Sequence, residues 1–361
     1  MTDNTSFRPG SMVAVGWPRF HAIARAAGIT LPIEQTAAWD AFDAAMEDRA
    51  PWGRVLYQDA DGTPRALVSL SRMDVRGLPY LWARHAPVWL GGVPHAAEEA
   101  DLRRLLVAGV RQRDPRVVFI RIHSATRGED CHELIQTMTY DRTVVLDLDR
   151  ADDEAILTSF KSRGRRDVRK ALRNDALSFA DETDRAEEVF GELYEILTET
   201  GERDGFRAAP ESTYRTMMRS LGPEHARLYV ARHRGAEALV WSLVTVWEDG
   251  ATRYYAGSSA EGRRMRAADA LVYKEACWLR AEGVRRYDLM GIDSERTPEL
   301  AGVREFKAKF VTDGPTEVPG AWDVPVHPHL YAGLVRVVEA KRRLGDLTSR
   351  LPGRGRDDVE D

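Results

Sequence analysis

The sequence predicts an α+β protein of two tandem units, each a mixed, mostly antiparallel sheet with flanking helices. Three observations lead there. The chain has 361 residues, more than a single core usually accommodates, roughly 250–300 residues. The order strand, turn, strand, helix, strand occurs twice. In each copy consecutive hairpin strands come first and one helix feeds a further strand. That order suits segregated antiparallel strands better than a doubly wound parallel sheet.

The second copy is the clearer one. Residues 226–232 (ARLYVAR) alternate as a strand, and 236–247 (AEALVWSLVTVW) form a longer apolar, β-branched strand. The turn at Glu248, Asp249 and Gly250 returns the chain as a strand over 252–256. Residues 267–282 follow as an amphipathic helix, with Ala270, Leu271, Cys277, Trp278 and Ala281 near helical spacing. Gly283 stops it, and 286–290 (RYDLM) is the last strand, ending at Gly291. In the first copy, 54–58 and 65–71 make a hairpin across 59–62 and a strand lies near 80–82. A helix spans about 98–111, and 116–122 (RVVFIRI) is a strand of the fully buried type. Between the copies, 143–148 is read as a crossing strand and 186–200 as a helix whose stripe is Val189, Phe190, Leu193, Ile196 and Leu197. These readings place the first domain at 1–148, the second at 149–324 and a helix at about 325–345 packing back on the first. A disordered tail is expected over 346–361, rich in Gly, Arg and Asp.

Composition bounds the function. Hydrophobic content is 43% and charged content 30%, as in a soluble globular protein. No apolar run approaches the ~20 residues of a membrane span, and residues 1–10 lack the apolar core of a signal peptide. The expected location is therefore cytoplasmic. Cys131 and Cys277 lie far apart without metal-ligand spacing, so no metal is expected and both are read as reduced thiols. The net charge of −5 argues against general polyanion binding, yet the charge is uneven. Residues 161–173 are strongly basic, and 341–356 form a second basic stretch.

Four places carry candidate chemistry. In a helix, Arg165, Arg169 and Arg173 share a face, with Arg166 and Lys170 beside them and Lys161 just before. Such a face needs an anion, either a bound phosphate backbone or acidic neighbours such as Asp175 and Asp181. Residues 257–266 (GSSAEGRRMR), with Ser258 and Arg264, open onto a helix N-terminus, where phosphate is favoured. In acetyltransferase folds a pyrophosphate sits at this junction. The strand end at Gly291 precedes Asp293 and then Phe306 and Lys307. Lys307 suits a developing oxyanion and Phe306 a stacked base, although Phe306 and Phe310 also have core spacing. Finally, Arg207 stands beside Phe206 and Gly205, where it can clamp a phosphate.

Taken in order, these segments resemble the FemABX family of aminoacyl-tRNA-dependent peptidyltransferases. The resemblance rests on Gln35 to Trp39 with Trp52, on 84–88 (RHAPV), on 119–122 (FIRI) and on 159–171 (SFKSRGRRDVRKA). It continues through 203–207 (RDGFR), 254–259 (YYAGSS), 287–292 (YDLMGI) and 306–310 (FKAKF). Each segment alone is unspecific; the ordered series is specific. The family's fold is two tandem GNAT (acyl-CoA N-acyltransferase)-like domains. The resemblance implies transfer of Gly, Ala or Ser from aminoacyl-tRNA, a co-substrate, with no cofactor. The acceptor would be the side-chain amine of a peptidoglycan precursor's stem peptide.

By the same resemblance Lys307 is the catalytic basic residue and Phe306 its neighbour. Arg207 grips precursor phosphate, and Tyr254, Tyr255, Tyr214 and Trp39 line the groove with Ser258 and Asp293. Lys161, Arg165, Arg166, Arg169, Lys170 and Arg264 meet tRNA phosphates. Two departures stand out. The lysine often found just after the opening tryptophan is missing, since Asp40, Ala41, Phe42 and Asp43 follow Trp39. His123 replaces an acid at the end of its strand, as an alternative base or a satisfied structural histidine. A monomer is expected, with the 341–356 stretch read as a solvated helix end or a peripheral contact to the inner membrane leaflet. Three other readings are kept: the same transfer to a small secondary-metabolite amine, a coenzyme-A-dependent N-acyltransferase, and a non-catalytic tRNA-binding protein.

Overall fold

The computed structural model describes residues 8–75, 77–135 and 139–349. Along the chain the first sheet collects β1 (Ser11–Ala14), β2 (Arg49–Gln58), β3 (Pro64–Val75), β4 (Leu78–Ala83), the short β5 (Val88–Trp89) and β6 (Phe119–Ser124). Helices α1 (Trp17–Ala26) and α2 (Ala37–Ala44) lie between β1 and β2, and α3 (Ala96–Arg113) feeds β6. Next come β7 (Arg142–Asp147), α4 (Asp153–Ser159), α5 (Ser162–Leu172), β8 (Leu177–Asp181), α6 (Ala186–Asp204) and α7 (Glu211–His225). The second repeat follows as β9 (Ala226–His233), β10 (Glu237–Trp247), β11 (Gly250–Ser258), α8 (Ala260–Arg264), α9 (Ala267–Ala281) and β12 (Arg286–Gly291). The chain closes with α10 (Ala301–Lys307), β13 (Thr316–Glu317), β14 (Gly320–Pro325) and α11 (Pro328–Ser349).

Among the described residues both sheets have seven strands. The first runs β1-β2-β3-β4-β6-β14, with β5 on β3, and the second β13-β7-β12-β11-β10-β9-β8. In each, antiparallel hairpins lead to one parallel pair, β4 with β6 and β11 with β12. The expected repeat and fold class are therefore present. The expected domain limits are corrected at both ends. β7, assigned by sequence to the first unit, lies in the second sheet against β12. β14, assigned to the second unit, lies in the first sheet against β6. The reason is register: Asp323 on β14 stands opposite Arg121 on β6, and the two form a buried two-pronged ion pair at 2.7 and 3.1 Å. A pairing across about two hundred residues leaves no local trace in the sequence.

Local chemistry accounts for the elements that hold the site. β10 is buried along nearly its whole length, as its β-branched apolar run demands of a central strand. The apolar stripe of α6 is buried as expected, and Gly205 ends that helix in the left-handed conformation at φ 77°. The 257–266 stretch is not an open loop, because Ser259 caps α8 by accepting from the Gly262 amide at 3.1 Å. One face of the second sheet packs α4, α5 and α9 through Leu157, Val168 and Leu271, with Phe160 and Phe310 beside them. The other packs α6 and α7 and also Ile33, Trp39 and Phe42 of the first unit, so the two domains share an apolar core. Helix α11 returns to the first sheet through Tyr331, against Tyr80 and Phe119. It is helical to Ser349, past the expected end at 345, and residues 350–361 of the expected tail lie outside the described residues. The basic side chains at 341–356 likewise lie outside what is described. Both cysteines are buried free thiols. Among the described residues no helix is long and apolar enough to cross a membrane.

Candidate active site

The parallel pair β11 and β12 is short. It joins Gly250 to Arg286, Ala251 to Tyr287 and Thr252 to Asp288, and beyond that the strands part. Two irregularities sit where they part. On β11 the register with β10 slips between Tyr255 and Arg253, which makes Tyr254 the extra, bulged residue. On β12 the register with β7 breaks between Asp288 and Gly291, and Met290 between them has φ +65°. A left-handed non-glycine residue costs on the order of 1 kcal/mol or more and persists where its surroundings hold it. Gly291 is required here, since an added Cβ would lie 2.4 Å from the Tyr140 ring.

Lys307, at the end of α10, reaches into this opening and its Nζ donates to the Gly291 carbonyl at 2.8 Å. Burial pushes its pKa down to about 7; the Arg253 guanidinium pushes the same way and Asp288 opposes them. Lys307 forms no ion pair with a carboxylate among the described residues. Arg253 is itself fixed by buried Glu275, which Ser242 and Tyr287 also hydrogen-bond. Two residues along, Lys309 has a different role: it pairs with Asp269 and approaches Asp167 at 3.9 Å beneath the Phe306 and Phe310 rings. Phe306 is half-buried against the core and 5.3 Å from Phe310, so its core spacing is realised. Helix α5 presses on this turn through Gly164, where a Cβ would sit 2.5 Å from the Lys309 carbonyl oxygen. The amide of Lys161 donates to that same carbonyl.

Next to the opening, on the sheet face toward the first domain, is a cleft of about 250 Å³. Glu34, His85, Tyr140, Trp247, Arg286 and Asp288 are among its lining residues. Burial raises the Asp288 pKa, against the hydrogen bonds from Thr143 and the Met290 amide and the nearby charges of His85 and Lys307. His123 stacks on His85 with centroids 5.0 Å apart and bonds through Nδ1 to the Pro319 carbonyl at 2.9 Å. Burial, helped by His85, pushes its pKa down to about 3, which makes it a poor base at neutral pH. The structure thus gives His123 the satisfied role.

Trp39, Tyr254, Tyr255 and Tyr214 form one aromatic row across the domain seam, with successive centroids 5.3, 5.2 and 4.8 Å apart. Trp39 and Tyr214 are buried members of it, so they support the groove rather than line it. The Tyr214 hydroxyl accepts from the Ala209 amide, and Tyr194 donates to the Ala209 carbonyl. Together they pin the loop that carries exposed Arg207. Ser258 acts through its backbone: its carbonyl accepts from Arg203 and Arg263. Asp293 pairs with Arg304 at 3.0 Å, and Arg264 pairs with Glu261. On α5, Arg165 binds the carbonyls of Thr158 and Phe160, Arg169 meets Glu154 at 2.8 Å, and Arg166 approaches Asp167 at 3.7 Å. The acids that balance this face are therefore Glu154, Asp167 and, through Arg163, Glu305, not Asp175 and Asp181. Lys161 and Lys170 remain exposed.

Sequence reasoning missed Glu34, His85, Tyr140 and Arg253. Arg253 left a faint signal as a charge inside a strand, His85 stood in the 84–88 segment with no role attached to it, and Glu34 and Tyr140 lie in connecting segments without a pattern. Asp288 was readable in part, as an acid three residues before the strand-ending glycine.

The model of the acetyltransferase (GNAT) domain matches residues 158–307, a span that ends at Lys307. A UDP-N-acetylmuramoylpentapeptide-lysine N(6)-alanyltransferase of Weissella viridescens is 30% identical over 145 residues. The match covers 40% of this chain and 42% of that enzyme, so the chain aligns with about two fifths of the relative's length. Among solved structures, FemX superposes with a TM-score of 0.69 at 16% identity, over 90% of this chain and 100% of that one. A tandem GNAT protein from the clavulanic acid biosynthesis pathway gives 0.50 at 14% identity, over 88% and 99%. The chain carries a GNAT domain, folds as two GNAT-like units in tandem, and resembles the FemABX family in sequence and in fold.

Proposed function

We propose that the chain is an aminoacyltransferase that moves glycine, alanine or serine from aminoacyl-tRNA to the side-chain amine of a peptidoglycan precursor's stem peptide, forming the cross-bridge. The observation that carries this reading is Lys307: a buried amine with a pKa near 7, held in the opening between β11 and β12 without a carboxylate partner among the described residues. The alanyltransferase relative supports the acceptor class.

The chemistry follows from the geometry. The donor is an activated ester, so orientation and proton removal suffice. Neutral Lys307 takes one proton from the acceptor ammonium. The freed amine attacks the ester carbonyl; the C–N bond forms and the ester C–O bond breaks. The ribose oxygen leaves with the second proton. The protonated Lys307 then stands near the developing oxyanion. Arg207, on its pinned loop, is suited to precursor phosphate, and Lys161 and Lys170 to tRNA phosphates. The enzyme would act in the cytoplasm, as a monomer and without a cofactor.

The coenzyme-A reading is disfavoured by the N-terminus of α9. Asp269 in its first turn and Asp167 from α5 already engage Lys309 and Arg266 there, the latter at 2.9 Å. A pyrophosphate would meet cations that are already neutralised. The test mixes purified protein with charged tRNAs, one amino acid at a time, and a lysine-containing pentapeptide precursor. Mass spectrometry should show the precursor gaining one aminoacyl mass. No gain with any amino acid, alongside acylation by acetyl-coenzyme A, would sink the reading.

A further inference from the structure

We infer that the cleft between the domains holds the acceptor's side-chain ammonium, with Glu34 and Asp288 as its carboxylate pair and Tyr140 beside them. This rests on the proposed function and specifies where its acceptor binds. Three observations support it. Glu34 is only 6% exposed yet lines the cleft. Its carboxylate accepts no hydrogen bond among the described residues, and its one ionic neighbour is His85 Nε2 at 3.5 Å. A buried carboxylate left this way is costly unless a cation completes it. Asp288 faces the same space from β12, also without a lysine or arginine ion pair among the described residues, and accepts only from Thr143 and the Met290 amide. A carboxylate has about four acceptor positions, so capacity remains for an incoming N–H donor.

Position matters as much as charge. Asp288 lies within electrostatic reach of both His85 in the cleft and Lys307 in the opening. An ammonium seated between Glu34 and Asp288 therefore shares the field of Asp288 with Lys307, the proposed base. Among the remaining walls Leu31, Pro32, Ile33, Val145 and Ala251 supply apolar surface for the rest of an aliphatic amine side chain, while Arg286 and Asp249 add one charge of each sign. An ammonium has three donors and no acceptor, which matches two carboxylates and the Tyr140 oxygen. The cleft thus selects for a basic side chain in the acceptor rather than for the amino acid delivered.

The experiment compares two soluble UDP-linked pentapeptide precursors, one with lysine and one with norleucine, which lacks only the amine. Calorimetric titration of the whole protein should show the lysine form binding at least about tenfold tighter. Glu34→Gln and Asp288→Asn should each remove most of that preference while thermal melting confirms a folded protein. Equal binding of the two precursors by the unaltered protein would overturn the inference, and that arm needs no variant. Full preference retained in both variants would overturn it too. If the preference holds but no charged tRNA supports transfer, the donor half of the proposed function fails and the cleft assignment stands. If transfer occurs without any preference, the assignment fails and the function stands. Binding of neither precursor would overturn both.

Discussion

The two sheets follow one plan and differ in the fate of a cation at the parallel strand pair. In the first sheet Arg121, midway along β6, is buried and clamps Asp323 of β14 at 2.7 and 3.1 Å. The rings of Tyr80, Trp82 and Phe119 lie 5.3–5.6 Å from its guanidinium, and α11 covers the pair through Tyr331. In the second sheet β11 and β12 part after three pairs, and Lys307 meets a carbonyl instead of a carboxylate. A cation given its counter-ion in the interior is satisfied and rigid. A cation denied one, and set near Arg253, loses its proton easily. The first arrangement makes structure; the second leaves an amine suited to be the base of the proposed reaction.

The largest effect should come from removing that base. Lys307→Met should lower single-turnover transfer by roughly 10²–10⁴-fold, the usual range for a general base. The circular dichroism spectrum and melting profile should stay those of a folded protein, since no ion pair is lost. Full activity would take Lys307 out of the mechanism. The counterpart in the first domain should behave in the opposite way. Asp323→Ala removes the carboxylate that faces a buried guanidinium and should cost about 3–5 kcal/mol in urea unfolding. A change below 1 kcal/mol would show that the Arg121 pair is not what secures β14 to the first sheet.

The sequence anticipated the repeat and not its closure. Strand and helix positions were legible because periodicity is local: the stripe of α6 and the apolar run of β10 are both where they were expected. The exchange of the last strands was hidden, because β7 and β14 find their partners only when Arg121 meets Asp323 and Asp288 meets Val145. The site divides along the same line. Lys307 was singled out through the order of motifs, and Lys309, two residues on, differs from it only once Asp269 and Asp167 stand nearby. Glu34 and His85 sit in connections whose meaning comes from the domain they face. The resemblance pointed to Trp39 and Tyr214 as groove residues, where the structure makes them its buried backing.

A milder probe of the same contrast is pH. Lys307 titrates near 7 when folded and at 10.5 as a free side chain. Its neutral form, the base, accumulates as pH rises through about 7, so the single-turnover rate should climb there and Lys307→Met should lose that limb. Stability should follow with a definite sign. Below pH 7 both states hold the proton and the cost of burying the ammonium is present in full. Between about 7 and 10.5 the unfolded chain binds more protons, so stability rises with pH. A rate that is flat from pH 6 to 8 would contradict the depressed value.

The smallest effects should appear on α5, where the same distinction between paired and unpaired cations can be read from salt dependence. Arg169 is committed to Glu154 and Arg165 to the end of α4; Lys161 and Lys170 are exposed at the helix start and on its outer face. If tRNA phosphate meets this helix, each freely available cation releases about one counterion. Lys161→Ala or Lys170→Ala should then reduce the slope of log binding constant against log salt by about 0.7–0.9. Arg169→Ala should reduce it less, because Glu154 already neutralises that charge in the free protein. Equal reductions for paired and unpaired positions would mean that the ion pairs of α5 open on binding. A slope unchanged in every variant would place tRNA phosphate away from α5 and leave the basic run as a solvated face balanced by Glu154, Asp167 and Glu305.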